Sequence, residues 1–221
     1  KLLLWGVLGL LVLAAAAVAG SYLYVRAYLK SDGFLAMLEQ SAVDDMNVET
    51  ARIDPLDWDG SGIRCGGVVM EGHEFLTSLQ ARNIETEFSR WELLKRAFVI
   101  TSVNIAELKL HLAPVSFRFR EKPEGPRSWA EENILPDTFR LEKGSIDSLS
   151  VSYGEAGRLY VLDGARVESA YDPGSRQYRF DVRGGKLLLP FQGCPEFSLM
   201  SGTAQFNHSS RRVNIPSCRL T

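Results

Sequence analysis

Residues that commonly perform catalysis or bind metal ions are scarce in this sequence. Its 221 residues include three histidines and three cysteines, and 25 basic against 27 acidic side chains give a formal net charge of -2. No histidine lies at metal-ligand spacing from another histidine, a cysteine or a carboxylate. The balanced charge supplies no strong field that would recruit nucleic acid. We therefore expect a protein that is not an enzyme, holds no metal ion or other cofactor, and has no nucleic-acid partner.

Motifs that position a nucleophile or a phosphate group are missing as well. The sequence contains no G-x-S-x-G, P-loop or G-x-G-x-x-G pattern. Cys65 has no base beside it, which disfavours a catalytic thiolate, although a base could come from a distant part of the chain. Asp57, Asp59 and Ser61 resemble the first half of a calcium-binding loop. Because Val68 stands where the bidentate carboxylate belongs, a polar turn is the expected structure.

The cysteines are too few for a disulfide-rich scaffold. Cys194 and Cys218 could pair in an oxidising compartment, which would leave Cys65 without a partner. Alternatively, all three are buried thiols that behave as small apolar side chains. The sequence leaves both alternatives open.

Long apolar runs are limited to one, at the amino terminus. Leu2–Val25, which lies between Lys1 and Arg26, contains no charged residue. As a helix, about 24 residues span roughly 36 Å, enough to cross a hydrocarbon core of about 30 Å. We predict a single transmembrane helix here. Ala17–Ala19 also resembles a signal-peptidase site, but the apolar run is longer than a signal peptide requires. A buried core helix is a second alternative, and it is disfavoured because no polar residue interrupts the run.

The remaining chain is predicted to be one β-rich domain over residues 31–221, behind an anchor and its flank over residues 1–30. Residues 31–114 form its first part. A polar, proline-containing segment over residues 115–135 is expected to be a surface loop, and further strands follow over residues 136–221.

Two short helices and one turn are expected within this domain. Gly33–Ala42 places apolar residues near one helical face, and Ser31 or Asp32 is the expected N-cap. Trp91–Arg96 is long enough for one or two helical turns. The cluster of aspartate and glycine over residues 54–62 predicts a turn.

Segments with alternating apolar and polar residues predict the strands. They are Met46–Ile53, Ile63–Met70, Ser78–Phe88, Phe98–Leu112, Leu149–Tyr153, Leu159–Leu162, Val167–Tyr171, Tyr178–Val182, Leu187–Leu189, Phe197–Leu199, Ala204–Phe206 and Val213–Ile215. Their spacing favours an antiparallel meander. Within Phe98–Leu112 the apolar phase changes near Ala106–Glu107, which suggests a bulge or bend.

Alternation gives such a sheet one apolar and one polar face. Because few helices are predicted to cover the apolar face, the sheet either folds on itself or uses that face as a groove for an apolar ligand. The apolar residues at alternate positions of each strand are the candidate lining residues: Val103, Ile105, Leu108, Leu110, Leu112, Leu149, Val151, Tyr178, Phe180 and Val182.

The order of segments in the first half of the chain is distinctive. The apolar amino-terminal run is followed by FLAMLEQSAV, then MNVETARID, then EFSRWELLKRAFVITSVNIAELKLHLAP. This order resembles the amino-terminal region of the AsmA-like family of bacterial envelope proteins, which includes AsmA, TamB and YhdP. Trp91–Arg96 matches the family's W-x-L-L-x-x helix, and Ile100–Pro114 matches its strand of the form I-x-S-V-x-I-x-x-L-x-L-x-L-x-P. The resemblance covers residues 1–114.

The resemblance implies a fold and a function. The fold is mainly β, with one transmembrane helix, one or two short helices, and a long curved antiparallel sheet that forms an apolar groove. The function is bridge-like transfer of phospholipid for outer-membrane maintenance, with a single-pass anchor in the bacterial inner membrane and the bulk of the chain in the periplasm. Its partners would be phospholipid, the inner membrane and other envelope proteins. The alternative is a non-catalytic envelope adaptor built on a closed β-sandwich.

Overall fold

The computed structural model describes residues 27, 31–72, 74–89, 92, 97–115, 138–155, 157–191, 194, 196–207 and 212–221. The predicted membrane segment Leu2–Val25 lies outside these residues. So do the predicted helical segment Trp91–Arg96, apart from Glu92, and the predicted loop over residues 115–135, apart from Val115. Within the ranges just given, no helix is both long enough and apolar enough to cross a membrane.

Helix α1 spans Asp32–Met46 and is longer than the predicted Gly33–Ala42. Ser31 is the N-cap, as its side-chain oxygen accepts a hydrogen bond from the Phe34 amide at 3.3 Å. The helix ends at Asn47, which has a left-handed φ of 52°. Asparagine tolerates this conformation better than most residues, so Asn47 ends the helix one turn beyond the point where the apolar pattern fades.

Among the described residues, twelve strands join one sheet. They are β1 Thr50–Ile53, β2 Leu56–Trp58, β3 Gly62–Glu71, β4 Leu76–Phe88, β5 Ala97–Leu112, β6 Thr138–Leu141, β7 Lys143–Glu155, β8 Arg158–Asp172, β9 Gln177–Arg183, β10 Lys186–Leu188, β11 Phe197–Asn207 and β12 Arg212–Leu220. The main order across the sheet is β1-β3-β4-β5-β7-β8-β10-β11-β12. In addition, β2 pairs with β3, β6 pairs with β5, and β9 lies between β8 and β11.

The sheet is mixed, so the prediction of an antiparallel sheet is wrong at its centre. Strand β5 runs parallel to β6 and to β7, whereas the other pairs are antiparallel. The reason lies in the connection between β5 and β7. A parallel pair needs a crossover of a dozen or more residues, and residues 113–142 supply one. An antiparallel meander joins successive strands by short turns, and this connection is too long to be one.

Three smaller differences concern segments with turn-forming residues. The predicted turn over residues 54–62 contains β2, which pairs with β3. The predicted segments Leu159–Leu162 and Val167–Tyr171 are one strand, β8, because Gly164 adopts a φ of 69° within it and the strand continues. Phe197–Leu199 and Ala204–Phe206 likewise belong to the single strand β11.

The helix covers one edge of the sheet, and little of the sheet is fully enclosed. Glu39 of α1 accepts a hydrogen bond from the Ile53 amide of β1 at 2.9 Å, which occupies an otherwise open edge group. The buried apolar residues are Val48, Cys65, Leu76, Ala81, Val99, Ala165, Val167 and Leu199. No large side chain in the described part of the chain is completely buried. The sheet therefore lacks the thick core of a closed sandwich over these residues.

Candidate functional site: the apolar face of the sheet

Strand register places the predicted lining residues of β5 beside apolar residues of β7. The pairs are Val103 with Gly144, Ile105 with Ile146, Leu108 with Leu149, Leu110 with Val151, and Leu112 with Tyr153. Residues paired in this way lie side by side on the same face of a sheet. The predicted residues of these two strands therefore form one surface, although the strands are far apart in sequence.

The predicted residues of β9 join the same surface through β8. Tyr178 pairs with Tyr171, Phe180 with Ser169, and Val182 with Val167. Val167 in turn pairs with Ile146 of β7, beside Ile105. The ring centroids of Tyr171 and Tyr178 are 5.0 Å apart, within the range of favourable aromatic contact. The candidate lining residues of β9 therefore lie on the same side of the sheet as Val103 and Ile105.

Two rows of paired residues show how far this surface extends, and we call it the apolar face. One row is Leu56, Cys65, Ile84, Ile105, Ile146, Val167, Val182 and Gly202. Another is Ala51, Met70, Leu79, Leu110, Val151, Leu162, Leu187 and Phe197. At the usual strand spacing each row is roughly 34 Å long. The face is therefore continuous across the sheet.

A local irregularity keeps the face apolar where the sequence phase changes. In β4, Ala81 is buried and Ile84 is half-buried, while Arg82 and Asn83 between them are both exposed. Asn83 has a φ of 50°, which turns two successive side chains outward. In β8 the exposed pair is Asp163 and Gly164. The predicted phase change near Ala106–Glu107 lies opposite Asn83 and belongs to this irregularity.

The apolar face is partly accessible. Every candidate lining residue is half-buried, with none enclosed and none fully exposed. A strand face of a closed sandwich would bury such leucine and valine side chains against a second layer. Half-burial of these lining residues leaves hydrophobic area available to a ligand.

The opposite face is polar and carries exposed ion pairs. Lys109 Nζ lies 2.7 Å from Glu107, and Arg82 lies 3.3 Å from the same carboxylate. The hydrogen bond from Lys109 is the main reason that the pKa of Glu107 lies below its ordinary value. Ser145 donates a hydrogen bond to Asn104 at 2.7 Å. Such exposed pairs contribute little stability, but they keep this face in water.

The described residues offer little that resembles catalytic chemistry. All three thiols are free, with Cys65 buried, Cys194 half-buried and Cys218 exposed. Burial raises the pKa of Cys65, which disfavours a thiolate. His111 contacts the Ser152 hydroxyl through Nδ1 on the polar face, whereas His73 and His208 lie outside the described residues. No group of three or more potential metal ligands occurs in the ranges that the structure describes.

The calcium-like segment forms a polar turn, as predicted. Asp59 Oδ1 accepts hydrogen bonds from the Ser61 amide, the Ser61 hydroxyl and the Gly62 amide at 2.8–2.9 Å. These bonds lower the pKa of Asp59 to about 2. The carboxylate is thus engaged with its own turn, as in other aspartate-initiated turns.

Several members of the apolar face were missed by the sequence analysis. Ile146 and Val167 complete the row through Ile105, but each lies beyond the phase change of its own strand. Tyr153 and Tyr160 pair at the end of the β7–β8 hairpin. The alternation in β7 could have identified Tyr153, since it follows Leu149 and Val151 in step. The partnership with Tyr160 requires knowledge of the register.

Comparisons of the sequence with family models and with curated proteins do not assign the chain to a family. No family model matches the chain, and no curated protein matches it. Among the described residues, the half-buried lining positions of the apolar face would suit an apolar ligand.

Proposed function

We propose that the chain is a membrane-anchored lipid-transfer protein of the AsmA-like type, and that its apolar face holds phospholipid acyl chains. The supporting observation is the continuous apolar face, whose candidate lining residues are all half-buried. In this proposal residues 2–25 form the single-pass anchor in a bacterial inner membrane. In the same proposal the rest of the chain lies in the periplasm and serves outer-membrane maintenance, and the sheet curves so that its apolar face forms a groove.

The physical basis is the cost of moving hydrocarbon through water. Each methylene group that leaves water for an apolar surface gains about 0.8 kcal/mol, so a whole acyl chain strongly favours such a surface. Alternating strands offer an apolar surface on one side and a hydrated surface on the other. Such a carrier requires no catalytic residue, cofactor or metal ion, because binding alone performs the task.

The central lining position is Leu110. It pairs with Leu79 of β4 and Val151 of β7, so apolar side chains flank it on both sides. We expect Leu110→Asp to weaken acyl-chain binding by at least about tenfold, because a carboxylate on this surface must remain hydrated. Asn104→Asp is the matched control. It adds the same charge to β5, but at an exposed position that accepts a hydrogen bond from Ser145.

The measurement uses the full chain in detergent with a phospholipid that carries a photoactivatable acyl chain. After irradiation, peptide mass spectrometry quantifies labelling of β5 and β7, and labelling of residues 2–25 provides an internal reference. Loss of β5 and β7 labelling in Leu110→Asp alone would support the proposal. Equal labelling in a folded Leu110→Asp protein would contradict it, and so would wild-type labelling confined to the amino-terminal peptide. The second result would favour the envelope adaptor.

A further inference from the structure

One end of the apolar face carries a cluster of exposed aromatic rings. Tyr153 and Tyr160 have ring centroids 6.2 Å apart, and Phe191 meets Tyr160 edge-on at 6.2 Å. Their exposed fractions are 41% for each tyrosine and 59% for Phe191. Large aromatic side chains usually lose most of their exposure on folding, so three together at this level form a distinct apolar patch. We call these three residues the aromatic end.

The aromatic end continues the apolar face to its limit. Tyr153 pairs with Leu112, the last residue of β5, and with Tyr160 across the hairpin. Leu110 and Val151 form the next apolar pair inward along the same strands. Val115, just beyond β5, is 47% exposed. A lipid acyl chain that lies on the apolar face could therefore leave it at this end without passing over polar side chains.

The aromatic end lies away from the start of helix α1. Just beyond the carboxyl end of α1, the Glu49 amide donates a hydrogen bond of 2.8 Å to the Glu71 carbonyl, beside the turn between β3 and β4. That turn is level with Leu112 and Tyr153, because Leu76 pairs with Leu112. Glu39, half a helix earlier, accepts a hydrogen bond from the amide of Ile53, which is level with the middle of β3 because Ile53 pairs with Val68. The helix thus runs from the opposite end of the strands towards the aromatic end.

We propose that the aromatic end docks on the surface of a lipid bilayer, as the mouth through which acyl chains enter or leave the apolar face. This inference rests on the proposed function. Tyrosine and phenylalanine suit such a surface, because their rings enter the region between headgroups and acyl chains while tyrosine hydroxyls stay hydrated. Continuity with the apolar face selects a bilayer as the occupant, since a lipid that moves between the two must stay out of water.

The test uses the full chain reconstituted into one set of vesicles, with a second, protein-free set added. Both sets contain phosphatidylcholine with about one fifth phosphatidylglycerol, and only the second set is fluorescent. The measurement is capture, the amount of fluorescent vesicles that bind to the protein-bearing vesicles, per molecule of incorporated protein. We expect the triple variant Tyr153→Ser, Tyr160→Ser, Phe191→Ser to reduce capture about fivefold or more, because serine cannot enter the interface.

The matched control is the double variant Val213→Ser, Ile215→Ser. It removes side chains that are 65% and 66% exposed on β12, and Val213 pairs with Phe206 beside Tyr178, at the other end of the strands. Capture retained in this variant but lost in the triple variant would support the docking surface. Equal capture by the wild type and a folded triple variant would overturn it, even if lipid still labels β5 and β7. Capture lost in the triple variant without labelling of those strands would uphold docking and overturn lipid binding on the apolar face.

Discussion

At the scale of single residues, Asp59 shows how a short polar motif is used locally. Three hydrogen bonds converge on its Oδ1 from Ser61 and Gly62. They end the turn that leads from β2 into β3. The same pattern of aspartate, serine and glycine suggested half of a metal loop, and the absence of a later carboxylate correctly favoured a turn. Local hydrogen bonding is the part of a structure that sequence spacing specifies best.

The lowered pKa of Asp59 makes a prediction about acid stability. The pKa falls from an ordinary value near 4 to about 2 in the folded protein, so the ionised turn stabilises the fold above about pH 4. That contribution is lost as the pH falls towards 2. We expect Asp59→Asn to lower the thermal midpoint at pH 7, and the difference from the wild type to shrink between about pH 4 and pH 2. Thermal melts monitored by circular dichroism check this.

If the thermal midpoints of the wild type and Asp59→Asn differed by the same amount from pH 7 to pH 2, the assigned hydrogen bonds would be contradicted. So would an Asp59 carboxyl that titrates near pH 4 in an NMR experiment, because three donated bonds stabilise the ionised form.

At the scale of elements, alternation predicted most strands, and Ser31, one of the two N-cap candidates, begins the helix. Strands β3, β4 and β5 begin and end within two residues of the segments assigned from apolar alternation. Pairing was less predictable. The parallel contact of β5 with β7 depends on how residues 113–142 return the chain, and no local pattern records that path. Strand β2 was hidden because three residues between turn formers are too few to show a period.

The irregularity at Asn83 carries a prediction for β4. Its φ of 50° suits asparagine or glycine, whereas a β-branched side chain clashes with its own backbone there. We expect Asn83→Val to destabilise the protein by about 1–2 kcal/mol and Asn83→Gly to change stability little. Urea unfolding provides the measurement.

Gln80→Val is the control for this prediction. Gln80 is exposed on the same strand and is not among the described residues with a positive φ. Valine is favoured at an ordinary strand position, so we expect little loss of stability there. If Asn83→Val and Gln80→Val were equally stable, the left-handed conformation of Asn83 would be wrong, and with it the reason that two adjacent side chains point away from the apolar face.

At the scale of the whole molecule, the sequence predicted which residues of one strand share a face. It could not predict which strands are neighbours. Leu108 and Leu110 follow from alternation alone, but their contacts with Leu149 and Val151 arise from the parallel register. The aromatic end could not be predicted for the same reason, since Tyr160 of β8 contacts Phe191, which follows β10. Long-range pairing determines the apolar face, whereas local propensity determines only its parts.

The most direct test of lipid binding is a photo-crosslinking amino acid placed along β5 of the full chain. Val103, Leu108 and Leu110 lie on the apolar face, and Asn104 and Lys109 alternate with them on the polar face. After irradiation in cell membranes, mass spectrometry identifies the adduct at each position. The account predicts phospholipid adducts at the three apolar positions and none at the two polar ones. Crosslinks from the apolar positions only to side chains of the same protein would mean a closed core and would contradict the account.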